Sequence, residues 1–204
     1  PPPIICYVTP SGNDGNDGLS WATAMRTIQA GLDRTVMTGG EVWVSAGLYP
    51  ERIAMRPYVD LYGGFSGVET NRDQRDWNKN PTVLDGQNYG SVVSFRLLLG
   101  LIRFDGFTIQ NGRSINGGGI LAEYSSPIIA NNTIQNNIAT NSSSMVLGGG
   151  VYANSCSMVL SNNLIQDNIS NSGGGVALNN DTSDLVVRNT FRSNTAAYTG
   201  NGFL

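Results

Sequence analysis

Asn132-Thr133-Ile134-Gln135-Asn136-Asn137 returns as Asn163-Leu164-Ile165-Gln166-Asp167-Asn168 and again as Asn189-Thr190-Phe191-Arg192-Ser193-Asn194. Phe107-Thr108-Ile109 is a divergent earlier copy. The apolar members Ile109, Ile134, Ile165 and Phe191 lie 25, 31 and 26 residues apart. A second series keeps step with the first: Gly118-Gly119-Ile120, Gly149-Gly150-Val151, Gly174-Gly175-Val176 and the variant Asn201-Gly202-Phe203, at intervals of 31, 25 and 27. A chain that returns to one local chemistry about every 25 residues is coiling. Its function then has to be sought on the faces, the inserted loops and the ends of the solenoid.

Each repeated residue type has a mechanical reason. Asn tolerates the left-handed backbone of a tight bend, and its amide can bond the Asn above and below in successive coils, so Asn132, Asn163 and Asn189 are expected at a corner as a ladder. Ile, Ile, Ile and Phe are expected to stack as an inward column. The glycines mark a second corner, where backbone turns without a Cβ. About 25 residues divide into three short strands and three turns, which predicts an all-β, three-faced parallel β-helix of roughly six coils. The interval of 31 locates an insertion of about six residues within Ala139 to Leu147.

Outward from the repeats the pattern loosens. Glu41 to Ser45, Gly47 to Pro50, Ile53 to Met55 and Val59 to Tyr62 read as short strands separated by corners, and coiling resumes at Thr82 to Asp85. Between them Gly63 to Pro81 is a polar insertion carrying the densest charge of the chain: Arg72, Asp73, Arg75, Asp76 and Lys79, with Trp77 among them. Near the start, Met25, Ile28, Leu32 and Val36 recur at helical spacing before Gly39-Gly40, predicting one amphipathic helix over about Thr23 to Met37. A helix placed there caps the open first coil. The chain therefore reads as one domain, 1–204: strand and cap over 1–40, irregular coils over 41–100 and regular coils over 101–204.

Composition narrows the function classes. Only 13 % of the 204 residues are charged, the net charge is −3 and the basic residues are scattered, so no cationic field for nucleic acid or anionic lipid is expected. Histidine is absent, which removes imidazole acid–base catalysis and imidazole metal ligation. No apolar run approaches the roughly 20 residues of a membrane-spanning helix. Cys6 and Cys156 are expected several rungs apart, beyond the reach of a disulfide within the chain, either as buried free thiols or bridging neighbouring molecules.

The repeats resemble those of right-handed parallel β-helix proteins of the pectate-lyase-like superfamily. The pairing of Gly-Gly-(Ile/Val) with Ile134-Gln-Asn-Asn137, Ile165-Gln-Asp-Asn168 and Phe191-Arg-Ser-Asn194 is similar to the motifs of bacterial polymorphic outer-membrane and autotransporter-like surface proteins. Tyr7-Val-Thr-Pro-Ser-Gly-Asn-Asp14, Asn16-Asp-Gly-Leu-Ser-Trp-Ala-Thr23 and Thr27-Ile-Gln-Ala30 resemble the N-terminal cap of secreted bacterial members, and Gly63-Gly-Phe-Ser-Gly67 with Arg72-Asp-Gln-Arg-Asp-Trp77 another of their common segments. The resemblance implies a right-handed helix and an extracellular or cell-surface location, on a fold shared by lyases, hydrolases, adhesins and structural repeats. A pectate-type lyase would need clustered carboxylates for Ca²⁺ and a nearby Arg or Lys as base, and a polygalacturonase-like hydrolase paired carboxylates and a histidine. The repeats offer Asn and Ser where such carboxylates would stand.

Three candidate sites follow. In the insertion, Trp77 would stack on a sugar while Arg72 and Arg75 pair with uronate carboxylates; alternatively the charges form local salt bridges and Trp77 pins the loop to the coil. Asp14 and Asp17, in Asn13-Asp-Gly-Asn-Asp17, bring oxygens that suit Ca²⁺ without the EF-hand spacing, and Asx turns leading into the cap explain them equally; no other cofactor is expected. The last coil is aligned with the start of another glycine-corner strand and carries no cap, so either the sequence is part of a longer array or another molecule is expected to cover that end, with Ile4, Ile5, Tyr7, Phe203 and Leu204 as the candidate assembly interface. The expected function is a non-enzymatic structural or adhesion β-helix of bacterial type, its partner itself or an adjoining coil, with head-to-tail contact giving a filament. The alternative is a domain that binds or cleaves acidic surface polysaccharide.

Overall fold

The computed structural model describes residues 3–141, 147–180 and 183–204. Four parallel sheets run along one axis; the first coils visit three of them, and the coils from Leu101 onward visit all four in turn. Sheet 1 contains Ile4–Val8, Gly40–Ser45, Val59–Phe65, Leu101–Asp105, Ser126–Ala130, Val159–Ser161 and Leu185–Val187. Sheet 2 contains Gly47–Tyr49, Thr82–Asp85, Phe107–Gln110, Thr133–Gln135, Leu164–Gln166 and Thr190–Arg192. Sheet 3 is short, with Arg113–Ser114, Ile138–Ala139, Ile169–Ser172 and Thr195–Thr199, and sheet 4 contains Ile53–Ala54, Val93–Arg96, Ile120–Glu123, Val151–Asn154 and Val176–Asn179. The chain is thus a parallel β-solenoid; connections of this parallel kind wind right-handed as a rule. Where the sequence predicts three strands per regular coil, there are four. The additional strand begins as the pairs Arg113–Ser114 and Ile138–Ala139, too short to show an alternation.

The repeat is in register along sheet 2: Thr108, Thr133, Leu164 and Thr190 are partners there, with Ile109, Ile134, Ile165 and Phe191 beside them. The three isoleucines are fully buried and Phe191 packs partly buried above them, so the expected inward column exists. Parallel columns of Val42, Leu61, Phe104, Ile129 and Leu160, and of Val93, Ile120, Val151 and Val176, close the interior from the other walls. At a transfer value of about 25 cal/mol per Å² of apolar surface, each fully buried Ile or Leu contributes on the order of 2 kcal/mol.

The expected cap is Ile28–Thr35, shorter at both ends than the Thr23 to Met37 that the spacing suggested. Thr27 caps it through its side chain, and the Glu51 carboxylate accepts the N–H groups of Ile28 at 2.8 Å and Gln29 at 3.2 Å. The Gln29 amide in turn covers the outer edge of sheet 4, accepting from Ala54 N–H at 2.8 Å and donating to Ala54 C=O at 3.3 Å. A side chain here does the work of a neighbouring strand. Both cysteines are buried and neither is joined in a disulfide, and burial pushes the Cys6 thiol up to about 11. Among the described residues no helix is long and apolar enough to cross a membrane. The insertion expected within Ala139 to Leu147 falls mostly on residues 142–146, outside the described ones; its last residue, Leu147, packs on Leu121, Tyr152 and Ala177 on the outside of sheet 4.

Candidate functional site

The insertion leaves sheet 1 at the corner after Val59–Phe65 and folds back over that sheet's outer face. Trp43, Tyr62 and Phe65 point outward there and form a second, smaller apolar cluster with Ile5, Tyr7 and Trp21. Trp21 donates its indole N–H to Glu69 C=O at 2.9 Å, and the buried Glu69 carboxylate accepts the N–H groups of Ser66, Gly67 and Val68. These N–H groups hold the Glu69 carboxyl below its ordinary pKa, although partial burial, the largest single influence, acts to raise it.

Arg75 is the centre of this arrangement. Its guanidinium donates to Asp105 Oδ1 at 2.6 Å and to Gly63 C=O at 3.0 Å, and it lies between the rings of Trp77 and Tyr62, 4.8 and 5.1 Å from their centroids. The ion pair is buried, with 10 % of the Arg75 side chain and 3 % of that of Asp105 exposed. Asp105 also accepts from the Asn131 amide at 3.1 and 2.9 Å. Arg72 is half-exposed, pairs with Glu41 and stacks on Tyr62. The sequence-predicted sugar residues Arg72, Arg75 and Trp77 are therefore brought together, but both guanidinium groups face protein carboxylates and Trp77 covers Arg75. Asp105, Glu41 and Tyr62 complete the cluster. Sequence separation hid them, since Asp105 lies 30 residues beyond Arg75.

Beside this cluster a shallow cleft of about 380 Å³ runs between Ile4–Ile5, Gly40–Glu41, Trp43 and Thr70–Arg72. The half-exposed Arg72 lines it.

Asp14 and Asp17 are engaged by the chain's own donors. Asp14 accepts Arg26 N–H, Thr27 N–H and the Thr27 hydroxyl at 2.8–3.0 Å. Asp17 accepts Leu19 N–H and the Thr23 hydroxyl. Partial burial acts to raise the Asp14 pKa, and the Thr27 and Arg26 donors outweigh it and leave that pKa lowered. Asp17 is lowered first by Leu19 N–H and then by Thr23. Among the described residues no three Asp, Glu or Cys side chains gather as a metal site.

The outer faces of the regular coils carry neutral ladders. On sheet 2, Gln166 donates to Gln135 at 2.9 Å, Gln135 to Gln110 at 3.2 Å and Gln110 to Asp85 at 3.0 Å. Asp85 can only accept, so it fixes the direction of the whole row.

At the two ends the candidate assembly residues separate. Ile4, Ile5 and Tyr7 form the first strand of sheet 1, in register with Gly40, Glu41 and Trp43, rather than a free arm. The outward N–H and C=O of Tyr7 and the N–H of Thr9 are already bonded to Gly18 and Met25. Phe203 and Leu204 lie at the opposite end, where Asn201-Gly202-Phe203 fills the glycine-corner position above Gly174-Gly175-Val176 as the alignment predicts. Both remain roughly two-fifths exposed. No family model, curated protein or solved structure matches the chain.

Proposed function

We propose that this chain is a non-enzymatic structural or adhesion β-helix of an extracellular or cell-surface kind, of the type its repeats resemble in bacterial polymorphic outer-membrane and autotransporter-like proteins. One observation carries the reading: the guanidinium groups best suited to an acidic sugar are committed to Asp105 and Glu41. A base poised against a uronate would need a free, oriented nitrogen. Arg75 instead ties an insertion to a coil. The outer faces of the regular coils, with their Gln row and the Asn154–Asn179 pair at 3.0 Å, suit display and stacking rather than proton transfer. The filament version of this reading needs an acceptor edge at the N-terminal end, where Tyr7 and Ala54 are already covered.

Incubation with acidic polysaccharides such as polygalacturonate, followed by chain-length measurement, is expected to show no shortening. Shortening that disappears in Arg72→Ala, with that variant folded by circular dichroism, would overturn the reading and favour the polysaccharide-active alternative at the cleft beside Arg72.

A further inference from the structure

The corner that joins sheet 4 to sheet 1 differs from the other corners of the solenoid. On successive coils its left-handed residues are Tyr58, Leu97, Tyr124, Ser155 and Asn180, at φ of 49–62°. They stack, since Leu97 N–H donates to Glu123 C=O, Tyr124 N–H to Asn154 C=O and Ser155 N–H to Asn179 C=O. Among the described residues every other non-glycine at positive φ is Asn, Asp, Gln, Ser or Arg. In the regular coils those residues turn the chain into two interior ladders, Asn132–Asn163–Asn189 and Asn137–Asn168–Asn194, in which each N–H and amide donates to the next Oδ1. A bulky side chain at such a φ crowds its own backbone, whereas Asn visits this region at modest cost. Tyr58, Leu97 and Tyr124 gain no burial in return, being 63, 75 and 59 % exposed. Strain kept at a surface position without packing to offset it points to a use for the side chain.

Two leucines extend this patch. In Leu97-Leu98-Leu99-Gly100-Leu101, Leu98 packs against the core while Leu99 and Leu101 are 72 and 70 % exposed. Gly100 makes room for the Tyr58 ring, because a Cβ there would stand 3.4 Å from Tyr58 Cε1. Coils pack on both sides of Leu97 and Tyr124, so their exposure is a property of this corner. An open cleft of about 400 Å³ is lined by Leu99 and Tyr124 together with Ser126, Ser155 and Ser157. Among the described residues these three serine hydroxyls have no partner in the chain. No charged side chain lines the cleft among those residues, and the nearest in sequence, Arg96 and Glu123, pair with each other at 3.3 Å.

We infer that this corner is a binding site for an uncharged saccharide. The inference rests on the adhesion reading proposed above and names the ligand's chemistry. A sugar ring presents an apolar C–H face and an edge of hydroxyls. The cleft presents a tyrosine ring and a leucine beside hydroxyls that the chain leaves unengaged. A uronate or a phosphate headgroup would call for a cation, which the cleft does not offer. A purely apolar occupant would cover the serine hydroxyls without giving them partners, which costs free energy. Tyr124 is the contact residue at the centre of the site, and Ser155 and Ser157 on the next coil set the ring's orientation.

The test runs the whole chain through native gels cast with hydroxyethylcellulose, mixed-linkage β-glucan, galactomannan or dextran, with polygalacturonate as the charged comparison. At least one uncharged gel is expected to retard it. Tyr124→Asn installs the residue that the other corners use, so it is expected to keep or raise the Tm while weakening the apparent Kd about tenfold. Ser155→Ala combined with Ser157→Ala is expected to keep the Tm and weaken binding about threefold. No retardation in any uncharged gel, retardation by polygalacturonate alone, or equal retardation of the parent and Tyr124→Asn overturns the inference. A lower Tm in Tyr124→Asn also overturns it, since the strained tyrosine would then be a packing residue. Unchanged binding in the serine variant overturns it in favour of an apolar occupant, a second copy or a lipid surface, which sedimentation equilibrium and flotation with phosphatidylcholine vesicles then tell apart. Shortening of polygalacturonate would overturn the non-enzymatic reading and leave these gels unchanged, so the two failures are distinguishable.

Discussion

Asn168 is fully buried and makes six hydrogen bonds, one of them from Thr195 N–H to its C=O at 2.8 Å. Its Oδ1 accepts the N–H and amide of Asn137; its amide donates to Ile134 C=O at 2.9 Å and to Asn194 Oδ1, and its N–H also reaches Asn194 Oδ1. Only a side chain with both a donor and an acceptor in this geometry fills the slot. Asn168→Ala strands two donors of Asn137 and one carbonyl, each at about 1–3 kcal/mol, so a loss of about 3 kcal/mol or more is expected. Urea unfolding should show it as a lower midpoint with an unchanged slope. A loss below about 1 kcal/mol would mean that the ladder relaxes or admits water. The sequence revealed the ladder and mistook the bend. The left-handed residues are those just before the ladder: Asn131, Asn162 and Arg188 at one corner, Asn136, Asp167 and Ser193 at the other. The signal was present, for the ladder slot is Asn in all three copies while the preceding slot drifts. Several residue types tolerate a positive φ at modest cost, whereas the ladder admits one. The second ladder was overlooked because Asn136-Asn137 reads as ordinary turn chemistry. The glycine series belongs to the same contact: a Cβ on Gly119, Gly150 or Gly175 would stand 2.9–3.1 Å from the amide of Asn137, Asn168 or Asn194.

At the scale of elements, the charged insertion is held by bonds that differ in depth. Arg75–Asp105 is buried, whereas Arg72, 41 % exposed in its side chain, meets a Glu41 that is also partly wet. Removing one partner of a buried pair costs about 3–5 kcal/mol when the other charge is left uncompensated; here Asp105 would keep Arg103 at 3.4 Å and the Asn131 amide, which places Arg75 at the lower end, whereas an exposed pair contributes about 1 kcal/mol or less. Arg75→Ala is therefore expected to lower stability by about 3 kcal/mol and to admit protease between residues 66 and 80, while Arg72→Ala leaves both nearly unchanged. Equal losses would show that solvent reaches Asp105 more freely than its burial indicates. The sequence supplied both readings of Arg72, Arg75 and Trp77, as a sugar site and as a pinned loop. It could not decide between them, because the deciding groups, Asp105, Tyr62 and Gly63, come from strands that meet only after coiling. The cap was more legible, since helical spacing and a following glycine pair are local. Its service to Ala54 through Gln29 was not, because the contact spans 25 residues.

At the scale of the whole molecule, each coil touches chiefly the coils before and after it, so stability is approximately a sum of rung terms and interfaces between them. The chain can then be shortened by one rung if the phase is kept. Deleting residues 150–174 joins Gly149 to Gly175, which occupy neighbouring steps of the same corner, and removes one strand from each sheet: Val151–Asn154, Val159–Ser161, Leu164–Gln166 and Ile169–Ser172. Asn132 and Asn137 then face Asn189 and Asn194 directly, so both ladders remain continuous, and Ile120 meets Val176 in place of Val151. The apolar column loses Ile165 and closes as Ile109, Ile134, Phe191. The shortened chain is expected to fold, with a urea slope reduced in proportion to the surface removed and a stability lower by a few kcal/mol. Deleting 150–172 instead displaces every later residue by two positions. Side chains of sheet 2 keep their inward or outward sense under such a shift, but Asn189 and Asn194 no longer lie under their partners and the glycine corner no longer faces the ladder. That variant is expected to unfold or to be far less stable than the first. If the two deletions proved equally stable, hydrophobic alternation alone would hold the solenoid, and the ladders would be passengers rather than the feature that sets its register.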